Sequence, residues 1–314
     1  MTNRNPNKVS RRFWATPSTV SIPKSDINSI ASSFAVSVNS LPEDYQSEDF
    51  HAITARHIKR LGGNGDMALE LIGDWVESPY ESVLRWAVTV SIGRDLEDEI
   101  AKVQYRSDEA FEAHIKAEFK SRIPANIITQ YGNMTEDQIE YHLKSAGQAR
   151  RAEVGKYISS LMAMKEKRFK HVMSHKKMDK SAKIASTKEC QKTLAAIVTL
   201  TQAMTRHEET PLMRGLHGYQ AKRLLERAKE AKSVPIAFDH ATSFTSEPLI
   251  ANEFALWTHA SKNEPQDGAI ITVHVPRSSM VASDIVFHSL KGEYETVVAT
   301  HGSLMISSKD ISVV

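Results

Sequence analysis

The chain has 314 residues with 40 Lys+Arg against 38 Asp+Glu, a formal charge of +2 that gives no global reason to expect nucleic acid or an anionic membrane as partner. A hydrophobic fraction of 41% is ordinary for a globular protein and leaves room for one large or two ordinary domains. The single cysteine, Cys190, excludes an intramolecular disulfide framework and any multi-thiolate zinc site, and its surroundings read as a structural helix position. No run approaches the roughly 18 to 20 apolar residues that cross a bilayer, and Met1 to Arg12 lacks the apolar stretch of a secretory signal, so a cytoplasmic location is expected.

Residues 1–24 read as a flexible tail, basic at Arg4, Lys8, Arg11 and Arg12. From 25 to 145 the pattern is helical with polar breaks, as in the spacing of Met67, Leu71, Ile72 and Trp75. Leu41-Pro42, Gly62 to Gly65, Ser78-Pro79 and Ile123-Pro124 mark turns. No Lys-Ser/Thr follows the Gly62 to Gly65 cluster, so it reads as a turn and not a phosphate cradle. Thr135 followed by Gln138 is a capping-box arrangement that starts a new helix.

Residues 144–183 are strongly basic, from Arg150 and Arg151 to Lys180 and Lys183. A solvated helical face is the first reading, and contact with nucleic-acid phosphates or an acidic protein the second. Leu194, Ile197, Val198, Leu200 and Met204 then recur at the spacing of a core-facing helix.

Beyond that helix, strand-like runs fall at 211–216, 235–238, 269–275, 285–288, 296–299 and 304–306, with helices at 219–232 and 249–260. Long helices followed by clustered strands predict an α+β fold, with the domain boundary between 140 and 185 and a second domain drawn at 146–314.

Three strings in this C-terminal part stand in a suggestive order: Leu212-Met213-Arg214-Gly215-Leu216, Ser243-Phe244-Thr245-Ser246-Glu247-Pro248, and Gly292-Glu293-Tyr294-Glu295-Thr296-Val297-Val298. A strand-borne Arg-Gly, a Ser/Thr cluster and a Glu-x-Glu in that order resemble the arginine-serine-glutamate class of mono-ADP-ribosyltransferases, which includes bacterial toxins, vertebrate ecto-enzymes and the transferases of T-even-like phages. The resemblance covers about residues 185–314 and extends to Ala251-Asn252-Glu253-Phe254, similar to the family's Ala-x-x-Phe helix, and to a glycine turn at His301-Gly302-Ser303. The family's Ser-Thr-Ser reads here as Ser243-Phe244-Thr245, or as Thr245-Ser246; the spacing to Phe238 and Ala251 favours Ser243.

The resemblance implies a fold of two packed, mostly antiparallel sheets with flanking helices, NAD as co-substrate, and transfer of ADP-ribose with release of nicotinamide. Breaking the nicotinamide to ribose bond develops positive charge on the ribose, as in glycoside hydrolysis, and a fixed carboxylate offsets it. Glu295 takes that role by resemblance, Ser243 orients it, and Arg214 offers paired donors to the NAD phosphates. Gly215 would let the ligand approach the backbone.

Glu293 precedes Glu295 by two residues, so on a strand both carboxylates share a face and Tyr294 faces the opposite, buried side. In the family Glu-x-Glu accompanies arginine acceptors, which implies a target protein carrying an acceptor arginine, oriented by Glu293. Phe287 lies where the family has its acceptor-recognition loop; it contacts the target or fills the core. His217 and His240 flank the Arg and Ser motifs, with ordinary packing the plainer reading. His207-Glu208-Glu209 lacks the second histidine of a helical zinc site, so no metal is expected. An effector or phage origin, virion-packaged or injected into a host, fits the resemblance. NAD hydrolysis, transfer to nucleic acid through 144–183, or a non-catalytic binding protein with a degenerate transferase fold are the alternatives.

Overall fold

The structure, a computed structural model, describes residues 13–122, 134–145, 147–256 and 267–314. Its helices begin with α1 (Lys24–Asn39), α2 (Ser47–Arg60), α3 (Gly65–Glu77) and α4 (Val83–Ser91), followed by α5 (Leu96–Arg122), α6 (Glu136–Ser145), α7 (Gln148–Ala185) and α8 (Lys188–Met204). Strand β1 (Glu209–His217), α9 (Gly218–Glu230), β2 (Ser233–Ala237), β3 (Ala241–Thr245) and α10 (Pro248–Ala255) come next. The chain ends with β4 (Gly268–Pro276), β5 (Met280–Ser283), β6 (Glu295–Ala299), β7 (Ser303–Ser307) and β8 (Ile311–Val313).

The architecture is α+β. Among the described residues all strand pairs are antiparallel: six strands run in the order β5-β6-β3-β1-β4-β8, and β2 pairs with β7 in a separate ribbon. Among the described residues no helix is long and apolar enough to cross a membrane.

Contacts divide the chain into two compact units, one holding Ser181–Val314 together with Leu96 and the residues before it, the other Glu97–Lys180. The sequence-drawn boundary at 145/146 thus falls inside the second unit. The reason is that α1 to α4 pack on α8, and α8 packs on β5, so the first helices share a core with the strands.

Caps set the starts of these helices. Asn64 accepts from Met67 N, Ser82 from Arg85 N and Thr187 from Cys190 N, each satisfying an amide that a helix start leaves free. In the glycine cluster a Cβ on Gly65 would lie 2.5 Å from Ala55 O and one on Gly63 2.9 Å from Ala196 Cβ, so these glycines admit close-packed neighbours. Cys190 is fully buried and its thiol is pushed up to about 11 by that burial, which leaves it inert at neutral pH.

The expected tail over 1–24 is corrected in part. Residues 1–12 lie outside the described residues, but Phe13 and Trp14 are buried in the strand core, where Phe13 meets Phe238 and Trp14 meets Phe244. Ala15 N donates to Ala299 O and His301 N to Phe13 O, which ties the segment to β6 and the turn after it.

Strand assignments also change, and the short β8 was not expected. The run 285–288 forms a turn, with Val286 N and Phe287 N both donating to Ser283 O, and the strand lies before it in β5. β3 escaped the hydrophobic pattern because Ala241-Thr242-Ser243-Phe244-Thr245 is mostly small and hydroxylic, although it is an interior strand between β6 and β1. Helix 249–260 is seen as α10 to Ala255, and its expected end from 257 onward lies outside the described residues.

In the second unit Thr135 N donates to Gln138 Oε1 at 2.8 Å and Gln138 N to Thr135 Oγ1 at 3.3 Å, the two reciprocal bonds of a capping box. α5 and α7 run antiparallel, joined by Gln104 to Asp179 at 3.0 Å, Arg168 to Glu112 at 3.3 Å and a Lys167–Glu118 ion pair. Part of the basic stretch is therefore paired with acidic residues of its own unit, in line with a solvated helical face.

Candidate active site

The three motif strands are immediate neighbours, with β3 between β6 and β1. Register sets Thr245 opposite Glu295 and Ser243 opposite Val297, so Ser243 and Glu295 are diagonal neighbours on one face. That diagonal is within reach of a long side chain across an antiparallel pair. Ser243 Oγ donates to Glu295 Oε1. Of the hydroxyls left open by the sequence, Ser243 is therefore the one on the carboxylate. Thr245 instead ties the turn, donating to Glu293 O at 2.8 Å and accepting from Glu247 N at 3.1 Å.

β1 and β3 share one registered pair, Met213 with Thr245. Beside it the Arg214 side chain crosses between the strands, Nη1 donating to Ser243 O at 2.6 Å. The guanidinium is enclosed, and its Nε is buried with no hydrogen-bond partner among the described residues. Burial lowers its proton affinity, offset by Tyr80, Asp239 and Glu295, and arginine's high intrinsic affinity keeps it charged. Leaving Nε buried and unpartnered is costly, while the guanidinium charge is offset by the nearby acidic groups Asp239 and Glu295.

Gly215 is corrected in role. A Cβ there would lie 2.1 Å from Ala251 O and 2.6 Å from Ala255 N, so the missing side chain seats α10 on β1 and does not face a ligand.

The Glu-x-Glu pair is arranged differently from a strand alternation. Only Glu295 lies on β6; Glu293 ends a short helical turn, and Tyr294 between them takes φ 47° and ψ 43°. This left-handed residue redirects the chain, leaving Glu295 buried at 7% exposure while Glu293 and Tyr294 are exposed. Tyr294 does not face the core, contrary to expectation, because its backbone does not continue the strand. A non-glycine side chain in this region costs about 1–2 kcal/mol, a strain characteristic of functional turns. The Glu293 carboxyl is pushed above the usual range, first by loss of solvent and then by the charge of Glu295.

Phe287 is only 1% exposed, and the residue before it accepts from Thr54 Oγ1 at 2.8 Å through Val286 O. Of its two expected roles the core aromatic fits, and contact with an acceptor does not, because no face of the ring is presented to solvent. His240 Nδ1 lies 3.1 Å from Thr300 O, and His217 is exposed at the end of β1.

Sequence reasoning missed the helical side of the site. Trp75 of α3 donates from Nε1 to Glu295 Oε1 at 2.8 Å, so both hydrogen bonds to this carboxylate fall on one oxygen. Arg85 of α4 is buried, pairs with Asp239 at 2.8 Å and lies under Tyr80 and Trp86. Asp239 sits on the loop before β3, with its carbonyl accepting from Thr242 Oγ1 at 2.9 Å and Thr300 Oγ1 at 2.6 Å. Nothing in the spacing of Trp75 or Arg85 separates them from ordinary core positions of an amphipathic helix.

No family model, curated protein or solved structure matches the chain.

Proposed function

We propose that the chain is a mono-ADP-ribosyltransferase that cleaves NAD and passes ADP-ribose to an arginine side chain of a target protein. The observation that carries this reading is the linked cluster on three adjacent strands: Arg214 bonded to the Ser243 carbonyl, and the Ser243 hydroxyl bonded to Glu295. Arg214, a fixed cation beside the Ser243 and Glu295 pair, suits a phosphate group of NAD, so the residues present fit that co-substrate.

In this reading Glu295 is held with both donors on Oε1, which leaves Oε2 to accept from a ribose hydroxyl and to face the charge that develops as nicotinamide departs. The fixed donors make the carboxylate preorganised, so its contribution is larger in the transition state than in bound NAD. Glu293, exposed beside it with a raised pKa, is placed to orient an incoming guanidinium and to take its proton as the new bond forms. The two-sheet transferase fold, a host-cell setting and a protein acceptor belong to the same proposal.

Incubation with NAD and a guanidino acceptor such as agmatine tests it. The expected result is release of nicotinamide with label on the acceptor, and loss of both by on the order of 10²–10³-fold in Glu295→Gln. Nicotinamide release without acceptor labelling would keep the NAD chemistry and reject transfer to arginine. No cleavage of NAD, or undiminished cleavage in Glu295→Gln, would sink the proposal.

A further inference from the structure

The second unit carries a polar cluster that takes no part in the proposed chemistry. His171 and His175 are four residues apart on α7, which brings both imidazoles to one helix face. Asp108 of α5 lies against them. His171 Nε2 is 2.7 Å from Asp108 Oδ1, and His175 Nε2 is 3.7 Å from the same oxygen. One ligand atom from each of the three lies within 4.8 Å of the other two.

Both histidines lie within ion-pair distance of Asp108, but only His171 hydrogen-bonds to it. The His175 Nε2 is buried and has no hydrogen-bond partner among the described residues. Leaving such a nitrogen unsatisfied costs about 1–3 kcal/mol. A metal ion would use its lone pair. The His171 ring is already oriented, stacked on Phe111 at 4.1 Å between centroids with 5° between planes, and the two imidazoles lie 4.5 Å apart.

From this we propose that Asp108, His171 and His175 form a binding site for a divalent transition metal of the zinc class, clasping α5 to α7. Two imidazoles and one carboxylate select against magnesium and calcium, which favour all-oxygen shells, and suit zinc or cobalt. In a tetrahedral site with ligands about 2.0–2.1 Å from the ion, ligand atoms sit about 3.3 Å apart. The observed 2.7 and 3.7 Å from Asp108 to the two imidazoles bracket that separation, and all three ligand atoms lie within 4.8 Å of one another. A water completes the fourth position.

The unit has a use for such a clasp. Its buried side chains include Ile115, Ile139, Tyr157 and Met178, and a metal clasp between α5 and α7 would add to that packing. The other links across α5 and α7 are mostly solvent-exposed pairs, which contribute little each. The inference is independent of the NAD chemistry proposed above.

The test uses the untagged full chain, stripped with chelator and titrated with zinc alone by calorimetry. One equivalent should bind per chain, the thermal transition should rise with bound zinc, and His175→Gln or Asp108→Asn should weaken binding by at least about tenfold. His207→Gln serves as the control and should bind as the parent does. Cobalt(II) should give the intense visible bands of a four-coordinate site in the parent chain, a readout that stands even if a variant fails to fold. Absence of stoichiometric binding in the parent, weak six-coordinate cobalt bands, or unchanged affinity in a folded His175→Gln would each overturn the proposal.

Discussion

Glu295 is held from two directions that differ in how the sequence builds them. On the strand side, β1, β3 and β6 bring Arg214, Ser243 and Glu295 together through ladder register, from positions tens of residues apart. On the helical side, Trp75 of α3 bonds to Glu295 and Arg85 of α4 to Asp239 beside β3, from helices whose faces are otherwise core. The strand side supplies a motif; the helical side supplies half of the hydrogen bonding to the same oxygen. The position of the carboxylate is thus fixed in part by a region that carries no motif at all.

Removing one donor from each side tests whether they contribute equally. Ser243→Ala and Trp75→Phe each delete a single hydrogen bond to Glu295 Oε1, and Phe keeps the aromatic packing of α3. Hydrogen bonds to charged groups contribute about 1.5–3 kcal/mol, so each variant should lower kcat for NAD cleavage roughly 10- to 100-fold with KM changed much less. A kcat unchanged in Trp75→Phe would reduce the helical side to packing alone.

The same division governs what could be read in the sequence. The α+β class, the strands β1, β2, β4, β6 and β7, and the order Arg, Ser, Glu were legible because strand alternation and short strings survive in one dimension. β3 was not, since small hydroxylic residues give no apolar period even in an interior strand. Trp75 was legible only as core: its indole ring fills the helix's apolar face, and only the polar tip reveals the second role. Gly215 was read as ligand clearance when it is clearance for α10, because a missing Cβ says that something approaches without saying what. The cluster of Asp108, His171 and His175 went unread in the sequence, because Asp108 arrives from another helix and the two histidines stand within a basic stretch.

A smaller effect is expected at Glu293, which stands outside the buried network. Its carboxyl titrates above the usual range near 4.3, so the acid limb of arginine transfer should lie correspondingly high, with activity rising as pH increases through that raised pKa. In Glu293→Gln, transfer to a guanidino acceptor should fall about 10- to 100-fold and lose this limb, while hydrolysis of NAD to free ADP-ribose changes only several-fold. Equal losses in both reactions would place Glu293 with Glu295 in bond cleavage and erase the distinction between the exposed and buried carboxylates.

The smallest effect concerns how the two sides withstand acid. His57 of α2 is 1% exposed against Phe34, with burial first and then Arg60 and Arg56 lowering its pKa from 6.5. On the strand side, exposed His301 is lowered from 6.5 in the same direction, by partial burial, Arg94 and His240. In each case the unfolded chain takes up a proton at a pH where the folded chain does not. Stability is therefore full above about 6.5 and falls as pH drops from there through the lowered folded pKa. Because His57 is enclosed and His301 is exposed, the helical histidine should carry more of the loss. Urea unfolding at a series of pH values between about 7 and 5 should show a declining midpoint in the parent, a shallower decline in His57→Leu, and little change of slope in His301→Gln. If His301→Gln flattened the profile more than His57→Leu, acid would act first on the strands, and the helical side would be the more robust support of Glu295.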